Sequence, residues 1–504
     1  MTFRSFAAVA CFISAGSSVL ADVSAVQVWE DFLEGIKSSG SDVSVIQDRS
    51  AGQVALDDFL VLYQDRDIGM RLEMDIGQVA FVENGDGSVS INLPQQIPIT
   101  MEFRDNYSQV TSISALLEMS NMRGLASGDS SQITYDYSAD QMALRLQSLI
   151  GEGKRIGPDQ VQFSMIANQV SSTATTFISS LREMIGRSNI EDLEVSGMLA
   201  PQGEDFNASW VSKIHQLRFA NSGQTPENVS VQQLSKALKA GLNSSSVISY
   251  QSGETKIMVR TPDGDFSGST SSTGASSNTS ISKDGLLVLM DVSGVNFEAF
   301  ASVFPVPING ELGSFVYGLT MPVLPHSEDQ GFGLRFEIND LAVADGLWAM
   351  FDPIGQLPRD PVSLRIDVGG MVKLLLDYLD PDQLEASLDS MEVPGEVSQI
   401  TLNAIDVSAL GAELSVQGAF DINNENLSTF DGFPAPQGKA TATLSGANAL
   451  LDTLSQMGLI AGEQVMGARM FMGMFALPVG RDKFETEVEI DAEGGVYVNQ
   501  QRFR

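Results

Sequence analysis

Met70-Arg71-Leu72-Glu73-Met74-Asp75-Ile76 alternates apolar and charged or polar side chains without a break. A period of two puts the apolar side chains on one face of a strand and the charged ones on the other. Asn84-Gly85-Asp86-Gly87 then supplies the residues of a tight reversal, and Val89-Ser90-Ile91-Asn92-Leu93 takes up the alternation again. From about residue 43 to 148 this pattern predicts an antiparallel meander with one wet face. The Asp-Gly turn does not read as a calcium loop, because further acidic ligands at alternating positions are missing.

Upstream the period is that of a helix. Val26, Trp29, Phe32, Leu33 and Ile36 recur at three- and four-residue spacing, and Ser24 with Gln27 forms a capping box. Ser38-Ser39-Gly40 ends the run. Glu30, Asp31 and Glu34 give the helix an acidic outer face, so its apolar stripe is expected to dock on a sheet rather than lie on a membrane.

The first 21 residues read as an export signal. Arg4 is a short positive region, Phe6–Leu20 an apolar and small-residue stretch, and Val19-Leu20-Ala21 a cleavage site before Asp22. Serines and glycines interrupt the run too early for a membrane span, and a lipid on Cys11 would leave too short an apolar region to insert. The expected residence is the periplasm. Cys11 is the only cysteine, so a chain that starts at Asp22 has no disulfides and must hold together by burial. That chain carries 28 Lys plus Arg against 64 Asp plus Glu, a net charge of −36. Such a surface repels phosphate backbones and anionic lipid headgroups, which excludes nucleic acid as a partner.

Downstream, Ile133-Thr134-Tyr135-Asp136-Tyr137 through Arg145 aligns without a gap on Ile248-Ser249-Tyr250-Gln251-Ser252 through Arg260. Each reads as a hairpin with a polar turn, and the pair as a duplicated sheet module. Helices are expected near 170–187 and 230–240. The Ser/Thr/Gly-rich tract at 263–283 has too little apolar area to offset ordering and is expected to be a mobile loop. Clean alternation returns at Phe315–Met321, Phe332–Ile338 and Val362–Val368, followed by an expected helix at Met371–Leu379 and strands near 398–404 and 412–420. A helix around 447–458 and a Met- and Phe-rich segment at 463–475 precede a terminal hairpin that reverses at Glu493-Gly494-Gly495. The expected class is α+β, predominantly antiparallel β, with long curved meander sheets and a few packed helices. Its expected organisation is an N-terminal module at 22–262, the tract at 263–283 and a C-terminal module at 284–504.

The residues that carry chemistry are sparse. His215 and His326 stand far apart, so no metal-ligand spacing exists. No Gly-x-Ser-x-Gly pentad occurs. Acidic pairs such as Asp377 with Asp380, or Glu485 with Glu487, are unspecific in so acidic a chain. No catalytic residue, metal or cofactor is expected. Met470, Phe471, Met472, Met474 and Phe475 suit either core or an adaptable apolar groove, since flexible thioethers repack around irregular ligands. They are the candidate binding residues, for an acyl-chain ligand or a hydrophobic partner segment.

Gly411–Ile460, with Phe433-Pro434-Ala435-Pro436-Gln437-Gly438, Leu444-Ser445-Gly446 and Leu450-Leu451-Asp452-Thr453-Leu454, resembles the closing region of the bacterial family called domain of unknown function 2125. The two echoes, Leu357-Pro358, Val362–Val368 and Gly494–Asn499 are similar to it as well, whereas Asn499-Gln500-Gln501 departs from the Asn-Gly turn expected there. The resemblance implies an exported alphaproteobacterial protein of no established activity, with a strand-then-helix order similar to larger envelope proteins implicated in outer-membrane lipid homeostasis. Two functional classes follow. One is a non-catalytic envelope protein that binds an acyl chain or an envelope partner; the other is a periplasmic hydrolase whose site is assembled from distant residues.

Overall fold

The computed structural model describes residues 23–504 except 66–67, 105–109, 152, 180, 227–228, 230–232, 305, 381–382 and 386–394. The expected export signal, residues 1–21, lies outside the described residues. The fold is mostly antiparallel β-sheet with few helices, an α+β fold with large sheets. The chain divides into two compact units, one reaching to Ser276 with Ala301–Val303, the other comprising Ser277–Phe300 and Phe304–Arg504.

The first unit begins with α1 (Ala25–Ser38), then β1 (Ser41–Ser50), β2 (Gln53–Asp65), β3 (Met70–Glu83), β4 (Val89–Asn92), β5 (Gln96–Arg104), β6 (Val110–Ser120), β7 (Arg123–Gly128) and β8 (Gln132–Gly151). The capping box is present: the Gln27 amide donates to Ser24 Oγ at 3.2 Å, and the Ser24 amide donates to Gln27 Oε1 at 2.9 Å. The Asn84–Gly87 reversal joins β3 to β4, as the turn chemistry predicts. The stripe of α1 closes over this meander. Trp29 packs edge-on to Phe59 at 5.6 Å and lies 5.8 Å from Phe81, all three fully buried. Burying each such ring contributes about 1.5–3 kcal/mol, which is why the helix stays docked.

The unit continues through β9 (Lys154–Ile156), β10 (Val161–Phe177), β11 (Leu181–Leu199), β12 (Asn207–Pro226), α2 (Leu234–Lys239), β13 (Asn243–Tyr250), β14 (Ser252–Thr261) and β15 (Gly264–Ser272); β16 (Gly274–Ser282) carries the chain into the second unit. Three expectations are corrected here. The helix expected near 170–187 is the end of β10 and the start of β11, paired from Phe177↔Glu183 back to Val161↔Leu199. The tract expected as a mobile loop forms β15 and β16; β15 pairs with β14 at nine consecutive positions, from Gly253↔Ser272 to Thr261↔Gly264. Its backbone ladder supplies the ordering that its small side chains do not.

The two echoes are not hairpins either. Ile133–Arg145 runs straight along β8, and β13 with β14 runs along one edge of β12. Their polar middles mark a crease instead of a turn. Asp140, Gln169, Glu191 and Gln216 drop out of the pairing registers at one level of β8, β10, β11 and β12. Gln169 and Gln216 take positive φ there, a conformation that costs a non-glycine residue about 1–3 kcal/mol.

The second unit holds β17 (Gly285–Ala301), β18 (Ile308–Met321), β19 (Gln330–Val343), α3 (Asp345–Trp348), β20 (Val362–Leu374), β21 (Gly395–Ala409), β22 (Ala412–Asn423), β23 (Ala435–Ser445), α4 (Ala447–Gln456), α5 (Gly462–Phe475), β24 (Leu477–Gly480), β25 (Lys483–Ile490), β26 (Val496–Val498) and β27 (Gln501–Arg502). Met371–Leu374, expected to open a helix, extends β20 instead, held by pairing on both sides from β19 and β21.

Candidate hydrophobic ligand site

The registers of the second unit place one apolar side chain opposite another across eight strands. Val292, Phe315, Ile338, Leu364, Val407, Leu414, Leu444 and Phe484 form one row through β17, β18, β19, β20, β21, β22, β23 and β25. The next row runs Met290, Tyr317, Phe336, Ile366, Ile405, Val416, Ala442 and Thr486, and a third Val288, Leu319, Leu334, Val368, Leu402, Gly418, Ala440 and Val488. Bulges in β21 keep its residues in phase with the rows where the count of residues would otherwise slip.

None of these 24 side-chain positions is buried, and Met290 and Leu334 are about two-fifths exposed. A sheet face this apolar is ordinarily covered by a second layer. On the opposite face a charged side chain is buried. Glu337 is 8 % exposed and accepts from Arg335 Nε at 2.9 Å, with Arg365 Nε at 3.1 Å. Arg335 stands opposite Asp367 and Glu337 opposite Arg365, so four charges of alternating sign form a square. The hydrogen bond from Arg335, aided by one from Asn339, holds the Glu337 carboxyl below the usual carboxylate range, and the same contact raises Arg335.

The α4–α5 pair meets this sheet at one end of the rows. Thr486, a member of the second row, donates to the Phe475 carbonyl at 3.0 Å, and Asn499 Nδ2 donates to the same oxygen at 2.9 Å. Asp482 caps α4, accepting from the amides of Asn448 and Ala449 at 3.0 Å each. Arg469 on α5 pairs with Asp452 on α4 at 2.8 Å. Met470, Phe471 and Met474 point outward and are roughly two-thirds exposed, with Met466 beside them; Met472 and Phe475 are half-buried on the inner side with Val465. The rings of Phe471, Phe475 and Phe503 form a chain, with centroids 4.7 and 6.0 Å apart. The five residues singled out by sequence therefore divide between the two sides of one helix. The apolar rows that adjoin them follow from the alternation of each strand, but their alignment needs the registers.

The first unit contains a different feature, a cleft of about 620 Å³ beside α1, lined by residues that include Glu30, Asp31, Glu34, Lys37, Ile178 and Arg182. Asp31, expected on the solvated face, is buried. Its carboxylate accepts from Tyr135 Oη at 2.6 Å and meets Arg182 Nη2 at 2.9 Å. Burial raises the Asp31 carboxyl above its ordinary value, against the pull of Arg182 and Tyr135. The guanidinium lies on Gly35, where a Cβ would stand 3.4 Å from Nη2. Chain geometry thus uses this cluster to fasten α1.

Neither histidine assembles a catalytic group. His215 Nδ1 lies 2.9 Å from Asp192 at the crease, and the hydrogen bond raises its pKa; His326 Nδ1 accepts from the Glu328 amide. Among the described residues, no group of three His, Cys, Asp or Glu could hold a metal ion, and no helix is long and apolar enough to cross a membrane, a statement that leaves strands aside. No family model matches the chain, and no curated protein matches it. The likeness to domain of unknown function 2125 rests on the quoted residues alone.

Proposed function

We propose that the protein is a non-catalytic envelope protein that binds acyl chains on the apolar face of its second unit, with α4 and α5 at the end of that face. The observation that carries this reading is the run of three apolar rows across eight strands with no buried member. Hydrocarbon laid along such rows removes apolar area from water at about 25 cal/mol per Å². Met470, Met472 and Met474 adapt to chain ends of different shape. The polar face of the same sheet carries the solvent-facing charges, so ligand and water are kept on separate sides.

Displacement of a fluorescent fatty-acyl probe from the chain beginning at Asp22 tests this. Saturable binding that falls at least tenfold in Phe336→Glu, with Met472→Glu weakened too, is the expected result. No saturable binding by the parent chain returns these rows and Met470–Phe475 to the status of ordinary surface and core. Native mass spectrometry of protein taken directly from its envelope identifies the ligand it carries.

A further inference from the structure

We propose that Met466, Met470 and Met474 of α5 are a reversible sulfoxidation site: hydrogen peroxide marks these three thioethers ahead of the other described methionines, and the mark turns the outer side of the helix from apolar to polar without undocking it. The inference goes beyond the acyl-chain reading and stands without it.

Position makes these sulfurs reactive. Residues four apart on an α-helix stand one above the other, so Met466, Met470 and Met474 share one side of α5. They are 68, 66 and 64 % exposed, more than any other methionine among the described residues; Met350 follows at 51 %, and Met70 and Met119 are buried. Gly467 and Gly473 stand three residues to either side of Met470, on that same side of the helix. At both, a Cβ would have nothing within 4 Å, so no packing calls for glycine there. Glycine weakens a helix interior relative to alanine; what the pair leaves is bare helix surface on both flanks of Met470. Oxygen transfer requires the peroxide to reach the sulfur lone pair, so the most accessible thioethers react first. Cys11, the only cysteine, lies in the expected export signal, which makes methionine the one oxidisable sulfur of a chain that starts at Asp22.

The step needs only the thioether and the peroxide. A sulfur lone pair attacks one peroxide oxygen, the O–O bond breaks as the S–O bond forms, and the departing hydroxide takes the proton of the transferred oxygen and becomes water. Sulfur is oxidised by two electrons and the peroxide is reduced by two. The sulfoxide accepts hydrogen bonds where an apolar thioether stood, and sulfoxide reductases restore the thioether. The contacts that hold the helix come from other residues. Val465 is buried on the inner side, Arg469 pairs with Asp452, and the Ala461 amide donates to Gln464 Oε1 at 2.9 Å. At the far end the Phe475 carbonyl accepts from Thr486 and Asn499. Met472 lies between Met470 and Met474 in sequence but is half-buried on the inner side, so peroxide reaches it less readily. One helix thus carries an open row of sulfurs outward and a sheltered sulfur inward.

Limiting hydrogen peroxide on the full chain from Asp22, followed over time by mass spectrometry of its peptides, tests the proposal. Met466, Met470 and Met474 should each oxidise at least threefold faster than Met350 and at least tenfold faster than Met472. The form oxidised at all three should elute earlier from a hydrophobic-interaction column, melt within a few degrees of the parent, and lose its added oxygens to sulfoxide reductases that act on the two sulfur epimers. Met466→Leu/Met470→Leu/Met474→Leu keeps this side apolar and helical, and should abolish the fast phase of peroxide consumption while leaving the slow phase unchanged. Equal rates at all exposed methionines, Met472 oxidising as fast as Met470, or a fast phase that survives in the triple variant overturns the proposal. An oxidised chain that unfolds, or whose retention on the column is unchanged, overturns it as well.

Discussion

Tyr135 Oη lies 2.6 Å from Asp31 Oδ2, a bond between the middle of the first unit's sheet and the helix that opens the chain. Both residues are buried, so the contact cannot be exchanged for one with water at no cost. Tyr135→Phe is expected to lower the unfolding free energy by about 1.5–3 kcal/mol, the range for a hydrogen bond to a charged group. Urea titration followed by Trp fluorescence checks it; a change of a few tenths would show that the hydroxyl carries no such bond in solution.

Glu337 makes the second unit sensitive to acid. Its folded pKa is lowered from 4.5 by Arg335, so its contribution is present above the unfolded value and lost as pH falls through the folded one. Glu337→Gln should therefore melt below the parent at neutral pH, with the difference shrinking as pH falls from about 4.5 and vanishing at the acid end. A difference that stays constant with pH would point to packing rather than charge.

Gly370 tolerates no side chain. A Cβ there would stand 2.0 Å from the Gln399 carbonyl oxygen and 2.8 Å from the Phe332 ring. Because the nearest obstacle is backbone of the adjacent strand, Gly370→Ala should cost about 1–3 kcal/mol and lower the melting temperature by several degrees. An unchanged melt would mean that β20 and β21 shift apart freely at this level.

The strands β15 and β16 are expected to resist exchange and proteolysis. Amides from Ser267 to Ser272 that donate to β14 should exchange at rates typical of the surrounding sheet, and limited proteolysis should not cut first in this tract. Deleting Gly264–Ser282 should lower the thermal midpoint markedly. Early cleavage between Gly264 and Ser282 would contradict the pairing.

What the chain revealed by itself was decided locally. Ser24 and Gln27 name their own helix start, and Asn84–Gly87 names its own turn, because the bonds involved span three or four residues. Phe315–Met321 and Phe332–Ile338 alternate, and their pairing follows from a loop too short to lead elsewhere. The misreadings share a different cause. Phe177, Leu181, Met184 and Ile185 have helical spacing, yet β8 and β12 offer ladders on either side that a helix could not use. Ser138–Gln141 is polar enough for a turn, but β10 pairs with β8 on both sides of Asp140, at Ala139 and at Gln141, so the strand creases there without turning back. Asp31 looked like a solvated acid because Arg182 is remote in sequence and arrives only with β11. The same holds for the candidate site: Met470–Phe475 is visible as composition, whereas the three rows depend on registers set between strands.

The core beneath α1 has a consequence for how the chain is made. Every buried member of that cluster, from Val23 to Tyr137, belongs to the first 137 residues. A polypeptide delivered amino end first can therefore close Trp29 over Phe59 and Phe81 while most of its length is still to come. Within the first unit β10, β11 and β12 then add in turn to an edge already in place, β10 on β8, β11 on β10 and β12 on β11.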